Sequence, residues 1–209
     1  MDKRTDISIY DYSGRPWESE LGAYCQEILR GIGWYHSSTA TASQPDIGSV
    51  VFTGVSPGQG VTTLAVSTAV IAARDLTTRV CLLDCSEARD VHQYFDFADT
   101  VAGLDSRLAK HIRTTTHGNL DILSLSDARE IRNSQRMKLA IRRLFRCFDL
   151  VVIDMPARYR SRWRSVLLAE SDLSLIVADQ DCPQMLLENL ANDLGKERAR
   201  NVGVIVNRD

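Results

Sequence analysis

From residue 48 onward, short apolar runs alternate with longer stretches in which apolar positions recur every three or four residues. The runs are Val50-Val51-Phe52-Thr53, Val80-Cys81-Leu82-Leu83, Leu120-Asp121-Ile122-Leu123, Leu150-Val151-Val152-Ile153, Leu173-Ser174-Leu175-Ile176-Val177 and Val202-Gly203-Val204-Ile205-Val206. Short and rich in Val, Ile and Leu, they read as strands buried on both faces of a sheet. Between them, Met137, Ile141, Leu144, Phe145 and Phe148 mark one apolar helix face. Arg136, Lys138, Arg142, Arg143 and Arg146 fall on the other faces, as on a solvated helix surface. Alternation of this kind builds βαβ units. The expected fold is therefore α/β, a doubly wound, mostly parallel sheet with helices on both faces and the run 50–53 at its centre.

Upstream of residue 48 the texture differs. Residues 1–47 are irregular, with Gly14-Arg15-Pro16 and a Ser/Thr/Ala/Gln stretch over 37–44 that reads as a linker. Between these, Leu21, Tyr24, Cys25, Ile28, Leu29 and Ile32 are spaced as one amphipathic helix over 18–32. The expected organisation is an N-terminal extension, 1–47, with one helix and a linker, followed by one domain, 48–209.

Composition adds exclusions. With 209 residues, 44% hydrophobic and 25% charged, the chain is of ordinary globular type, and its net charge of -2 gives no general pull toward nucleic acid. The weakly polar run 61–73 is too short to span a bilayer, and the N-terminus shows no secretory h-region. Five cysteines, an odd number with no C-x-x-C pair, read as reduced and mostly buried thiols. A cytoplasmic location, with a peripheral position at the inner face of a membrane left open, is the expectation. His36, His92, His111 and His117 lack metal-like spacing.

The first strand runs into Thr53-Gly54-Val55-Ser56-Pro57-Gly58-Gln59-Gly60-Val61-Thr62-Thr63 and then a helix. A Gly-rich turn between strand and helix offers backbone N–H groups and the positive helix end to an anion. Gly58 and Gly60 allow close backbone approach, and Thr62 stands where a hydroxyl would meet Mg²⁺. The motif G-x-x-x-x-G-K-[ST] is not satisfied: Val55 replaces its first glycine and Val61 its lysine. Asp84 and Asp154 end two further strands, where a Mg²⁺–nucleotide site takes its acidic groups.

These residues resemble the cytoplasmic domain of bacterial tyrosine kinases (BY-kinases), regulators of exopolysaccharide and capsule chain length within the MinD/ParA-like P-loop ATPases. The resemblance runs from about residue 50 to 208. It includes the T-G-V-S-P loop, Asp84, Ala102-Gly103-Leu104 with Leu108, and Gly118-Asn119-Leu120-Asp121-Ile122-Leu123. It continues through Ser134-Gln135-Arg136-Met137, Phe148-Asp149-Leu150-Val151-Val152-Ile153-Asp154-Met155-Pro156, Ser171-Asp172 and Gly203-Val204-Ile205-Val206-Asn207. It implies an ATP/ADP-binding loop of Gly58, Gln59, Gly60, Val61, Thr62 and Thr63, with Asn207 near the base. It implies that Asp84 and Asp154 are the catalytic acids and, with Thr62, serve Mg²⁺.

The sequence also departs from that pattern. Val61 replaces the lysine, Ser56 stands where the MinD/ParA group has a second lysine, and Ser86 replaces the second acid of D-x-D. Glu27 and Arg30 begin an E-x-x-R-x-x-R motif that ends on Gly33, and the tyrosines form no C-terminal cluster. A charge-assisted hydrogen bond to phosphate contributes roughly 1.5–3 kcal/mol, and loss of one preorganised donor costs about 10²–10³ in rate. Weakened nucleotide binding and little turnover are expected. The expected function is a degenerate, non-catalytic regulator or scaffold of polysaccharide synthesis and export. Two alternatives stay open: an active ATPase or autokinase using an arginine for lysine, and a MinD/ParA-like spatial organiser or cellulose-secretion accessory.

One basic segment bears on both. Arg158, Arg160, Arg162 and Arg164 alternate with Tyr159, Ser161 and Trp163 just after Asp154. They are expected to be exposed, as a dock for a membrane chain-length protein or lipid headgroups, or as cations for a γ-phosphate. Self-association stays open as well; nucleic acid is not expected.

Overall fold

Among the described residues, seven strands form one sheet: β1 (Ser49–Gly54), β2 (Val80–Asp84), β3 (Ile112–Thr114), β4 (Leu120–Ser124), β5 (Leu150–Asp154), β6 (Leu173–Asp179) and β7 (Val202–Asn207). Their order is β3-β4-β2-β5-β1-β6-β7, parallel throughout except that β3 runs antiparallel to β4. The structure is a computed structural model describing residues 20–34, 47–74, 78–86, 91, 94–97, 111–116, 119–128, 131, 133–157 and 159–207. The 37–44 linker, the 102–108 stretch and Arg158 lie outside the described residues.

Six strands coincide with the six apolar runs; β3 was not foreseen. β1 is interior, flanked by β5 and β6, so β5 with Asp154 stands between it and β2 with Asp84. Asp172 Oδ2 accepts from Gly48 N at 3.0 Å and Ser49 Oγ at 2.8 Å, which ties the start of β1 to that of β6.

Helices cover both faces. On one lie α1 (Glu20–Gly31) and α2 (Val61–Ala73). α2 is apolar all round and accordingly buried on nearly every side, by the sheet below and by α1 above. Cys25, Leu29, Ile32 and Trp34 share one core cluster with Leu64, Val66, Phe52 and Leu82. The other face carries α3 (Ser134–Cys147), α4 (Arg162–Glu170) and α5 (Gln184–Lys196), packed through Met137, Ile141, Leu144, Leu167, Leu168 and Leu194.

Local chemistry starts these helices. Asn133 Oδ1 accepts from Gln135 N and Arg136 N at 2.9 and 3.1 Å, and Ser161 Oγ from Trp163 N at 3.3 Å, so α3 and α4 have side-chain caps. Glu170, at the end of α4, binds Lys138 and Arg142 of α3. β7 departs from the expectation of strands buried on both faces. As an edge strand it leaves Val202, Val204 and Val206 39%, 50% and 43% exposed.

Candidate functional site

The turn after β1 is shaped by its glycines. Gly58 and Gly60 have φ of 89° and 80°, a region that a β-carbon disfavours. Gly60 opens α2 in a left-handed conformation and no side chain caps the helix, so its first-turn amides and positive end face the space beyond the turn. Gln59 is buried; its Oε1 accepts from Val55 N at 2.8 Å and Ser56 N at 2.9 Å, and its Nε2 donates to Asp179 Oδ2 at 3.4 Å. Asn207, at the tip of β7, donates to Gln59 O at 3.5 Å and packs so closely that a Cβ on Gly60 would lie 3.0 Å from its Nδ2. Gln59 and Asn207 thus brace the loop from behind, a role that spacing alone did not signal.

Val61 follows directly. It is only 9% exposed, packs in the cluster of Phe52 and Leu64, and turns its Cγ2 toward Gly54. A branched hydrocarbon therefore anchors the helix start where the motif would extend an ammonium.

Asp84 and Asp154 are register partners at the tips of β2 and β5, and both are fully buried. Asp84 Oδ1 accepts from Ser86 N at 2.7 Å, and Cys85 N donates to Asp154 O at 3.0 Å. Burial pushes the Cys85 thiol well up, the carboxylates of Asp154 and Asp84 add to the shift, and the Tyr159 hydroxyl opposes it. Cys85 is therefore a protonated, inert thiol at neutral pH.

These elements frame a cavity of about 1170 Å³. The loop forms one wall with Ser56, Gly58, Gly60, Val61, Thr62 and Thr63. Cys85, Ser86, Pro156 and Ala157, which follow the two aspartates, form the floor. Leu125, Ile131, Met137 and Trp163 make an apolar side, and Arg160 and Arg162 stand at the rim, both exposed. Thr62 lines this cavity, whereas Asp84 and Asp154 are fully buried and do not, so a Mg²⁺ ion there would have to be held mostly by phosphate and water, with the Thr62 hydroxyl as the protein ligand within reach. The donor set does not suit an all-protein cage, since no cluster of three acidic, His or Cys side chains occurs among the described residues.

The basic segment divides. Arg160 and Arg162 are exposed as expected, but Arg164 is not available: its Nε donates to Glu197 Oε1 at 2.8 Å, with its side chain 13% exposed. The acidic partner comes from just beyond α5, 33 residues away in sequence, so the local alternation of arginines gave no sign of it.

This architecture is the P-loop α/β fold of BY-kinase domains and MinD-like proteins. The kinase domain of Escherichia coli tyrosine kinase ETK superposes with a TM-score of 0.65 at 19% identity, covering 90% of this chain and 74% of that one. MinD cell division protein from Aquifex aeolicus gives 0.56 at 22% identity over 77% of this chain and 69% of its own. The ATP complex of a Cyanothece McdA variant gives 0.59 at 18% identity over 79% and 71%. No protein-family model matches the sequence, and no curated protein does.

Proposed function

We propose that the chain is a degenerate BY-kinase-like P-loop protein that acts without catalysis, as a regulator or scaffold in bacterial exopolysaccharide or capsule synthesis and export. The observation that carries this reading is Val61, which is packed into the core at the position where the loop lysine would act on phosphate. The loop amides, Thr62 and the two strand-tip aspartates remain, so ATP or ADP with Mg²⁺ would bind weakly through the backbone cradle. Turnover would need a cation that the loop lacks. Arg160 and Arg162 would face a membrane chain-length protein, with the domain at the inner face of the membrane. No helix among the described residues is long and apolar enough to cross a membrane itself.

A second reading has one observation in its favour: Arg160 and Arg162 line the same cavity as Thr62, where a guanidinium could serve a phosphate in place of lysine. Calorimetric titration of ATP with and without Mg²⁺, run beside a phosphate-release assay, separates the two. Binding without turnover supports the regulator, and steady turnover supports the arginine-assisted ATPase.

A further inference from the structure

We propose that the outward face of α3 docks on an anionic phospholipid surface, a contact separate from the loop cavity and independent of whether nucleotide binds. α3 carries Arg136, Lys138, Arg142, Arg143 and Arg146 and no acidic residue. These five divide into two groups. Lys138 and Arg142 lie on the flank against α4, and both bind Glu170. Arg136, Arg143 and Arg146 lie with Leu139 on the front, because spacings of three, four and three residues repeat once per helical turn.

All four front residues are exposed, Leu139 by 59%. None of the three arginine side chains makes an ion pair or hydrogen bond among the described residues. The helix needs none of them for folding, since Met137, Ile141 and Leu144 already hold it to the sheet. From Arg136 to Arg146 the row is about 15 Å long at 1.5 Å per residue.

The shape of this face indicates the occupant. A protein partner is ordinarily held by an anchor side chain in a pocket. Here the seam between α3 and α4 is closed by Glu170, and the exposed front offers charge rather than a broad apolar anchor: three guanidinium groups, one leucine and no acidic residue. An exposed row of three guanidinium groups with one leucine among them suits a flat sheet of phosphate headgroups. Each arginine near such a surface contributes about 1 kcal/mol, and the attraction fades within a Debye length.

The experiment is co-sedimentation of the full chain with phosphatidylcholine vesicles and with 3:1 phosphatidylcholine–phosphatidylglycerol vesicles, at low and high salt. Expected is binding only to the anionic vesicles, lost at high salt and lowered on the order of a hundredfold by combined Arg136→Gln, Arg143→Gln and Arg146→Gln. Leu139→Ala should weaken it a few-fold, and Lys196→Gln, at an exposed cation on α5, should leave it intact. Thermal melts confirm that each variant is folded; should the triple variant not fold, the three single variants replace it, each lowering binding about fivefold. The proposal is overturned by absence of anionic-vesicle binding, by equal binding of the arginine variants, or by tighter binding to polyglutamate, which would mark an acidic protein as the partner.

Discussion

The Cγ2 of Val61 lies where it would stand 2.9 Å from a β-carbon placed on Gly54, so the first residue of α2 and the last residue of β1 interlock. The strand-to-helix turn depends on that fit. The same hypothetical Cβ would meet Gln59 Oε1 at 3.1 Å and Ser56 O at 3.3 Å, leaving no side free.

Gly54→Ala should therefore destabilise the fold by about 1–3 kcal/mol, the usual cost of overpacking a closed site. For a chain of this size that is a fall in Tm of about 2–4 °C per kcal/mol. Val61→Ala would open the space, so the double variant should lose less than the sum of the two singles. Strictly additive losses would show that the two residues do not press on one another.

Gln59 gives a second test. Its Oε1 satisfies two loop N–H groups, and its Nε2 reaches Asp179. Gln59→Leu strands both donors and should cost about 1–3 kcal/mol. Gln59→Glu keeps the acceptor but sets a carboxylate against Asp179, so it should destabilise at neutral pH and be rescued by Asp179→Asn. Equal Tm values for Gln59→Glu with and without that second change would contradict the contact.

Glu170 makes stability depend on pH. Burial pushes its carboxyl up, but hydrogen bonds and charge from Arg142 and Lys138 prevail and hold it below its ordinary value of 4.5. A carboxylate with a lowered folded value contributes stability that is fully present above 4.5 and lost as pH falls through that lowered value. Glu170→Gln should thus lower stability by about 1 kcal/mol at pH 7. Parent and variant should converge in melts carried progressively below the ordinary value, and a gap that widens on acidification would reverse the assignment.

How much of this was legible beforehand depended on range. Buried strands announced themselves because a strand covered on both faces needs a continuous apolar run, as in Val50-Val51-Phe52. β3 did not, because Ile112 is its one buried residue and pairing with β4 supplies the rest. The placement of β5 between β1 and β2 is a matter of crossovers, which local pattern does not encode. Glycines and strand-end aspartates pointed to the site because each is tied to a backbone need. Gln59 and the Arg164–Glu197 pair were hidden because polar side chains find partners through space.

The last test concerns the missing cation. Val61 already lies on the cavity wall, so a lysine there can keep its stem beside Gly54 and extend its ammonium over the loop amides. Val61→Lys should tighten ATP–Mg²⁺ binding by roughly 1.5–3 kcal/mol, about ten- to a hundredfold. Hydrolysis should remain slow, because Ser86 holds only a hydroxyl where the resemblance expects a second acid. Ser86→Asp alone would add a carboxylate two residues from buried Asp84, so it should lower Tm, and Mg²⁺ should restore part of the loss. In the double variant phosphate release should rise well above that of either single change. Fluorescence titration and phosphate release on the parent and all three variants provide the comparison. If the parent already turns over as fast as the double variant, an arginine at the cavity rim is serving as the cation and the non-catalytic reading falls.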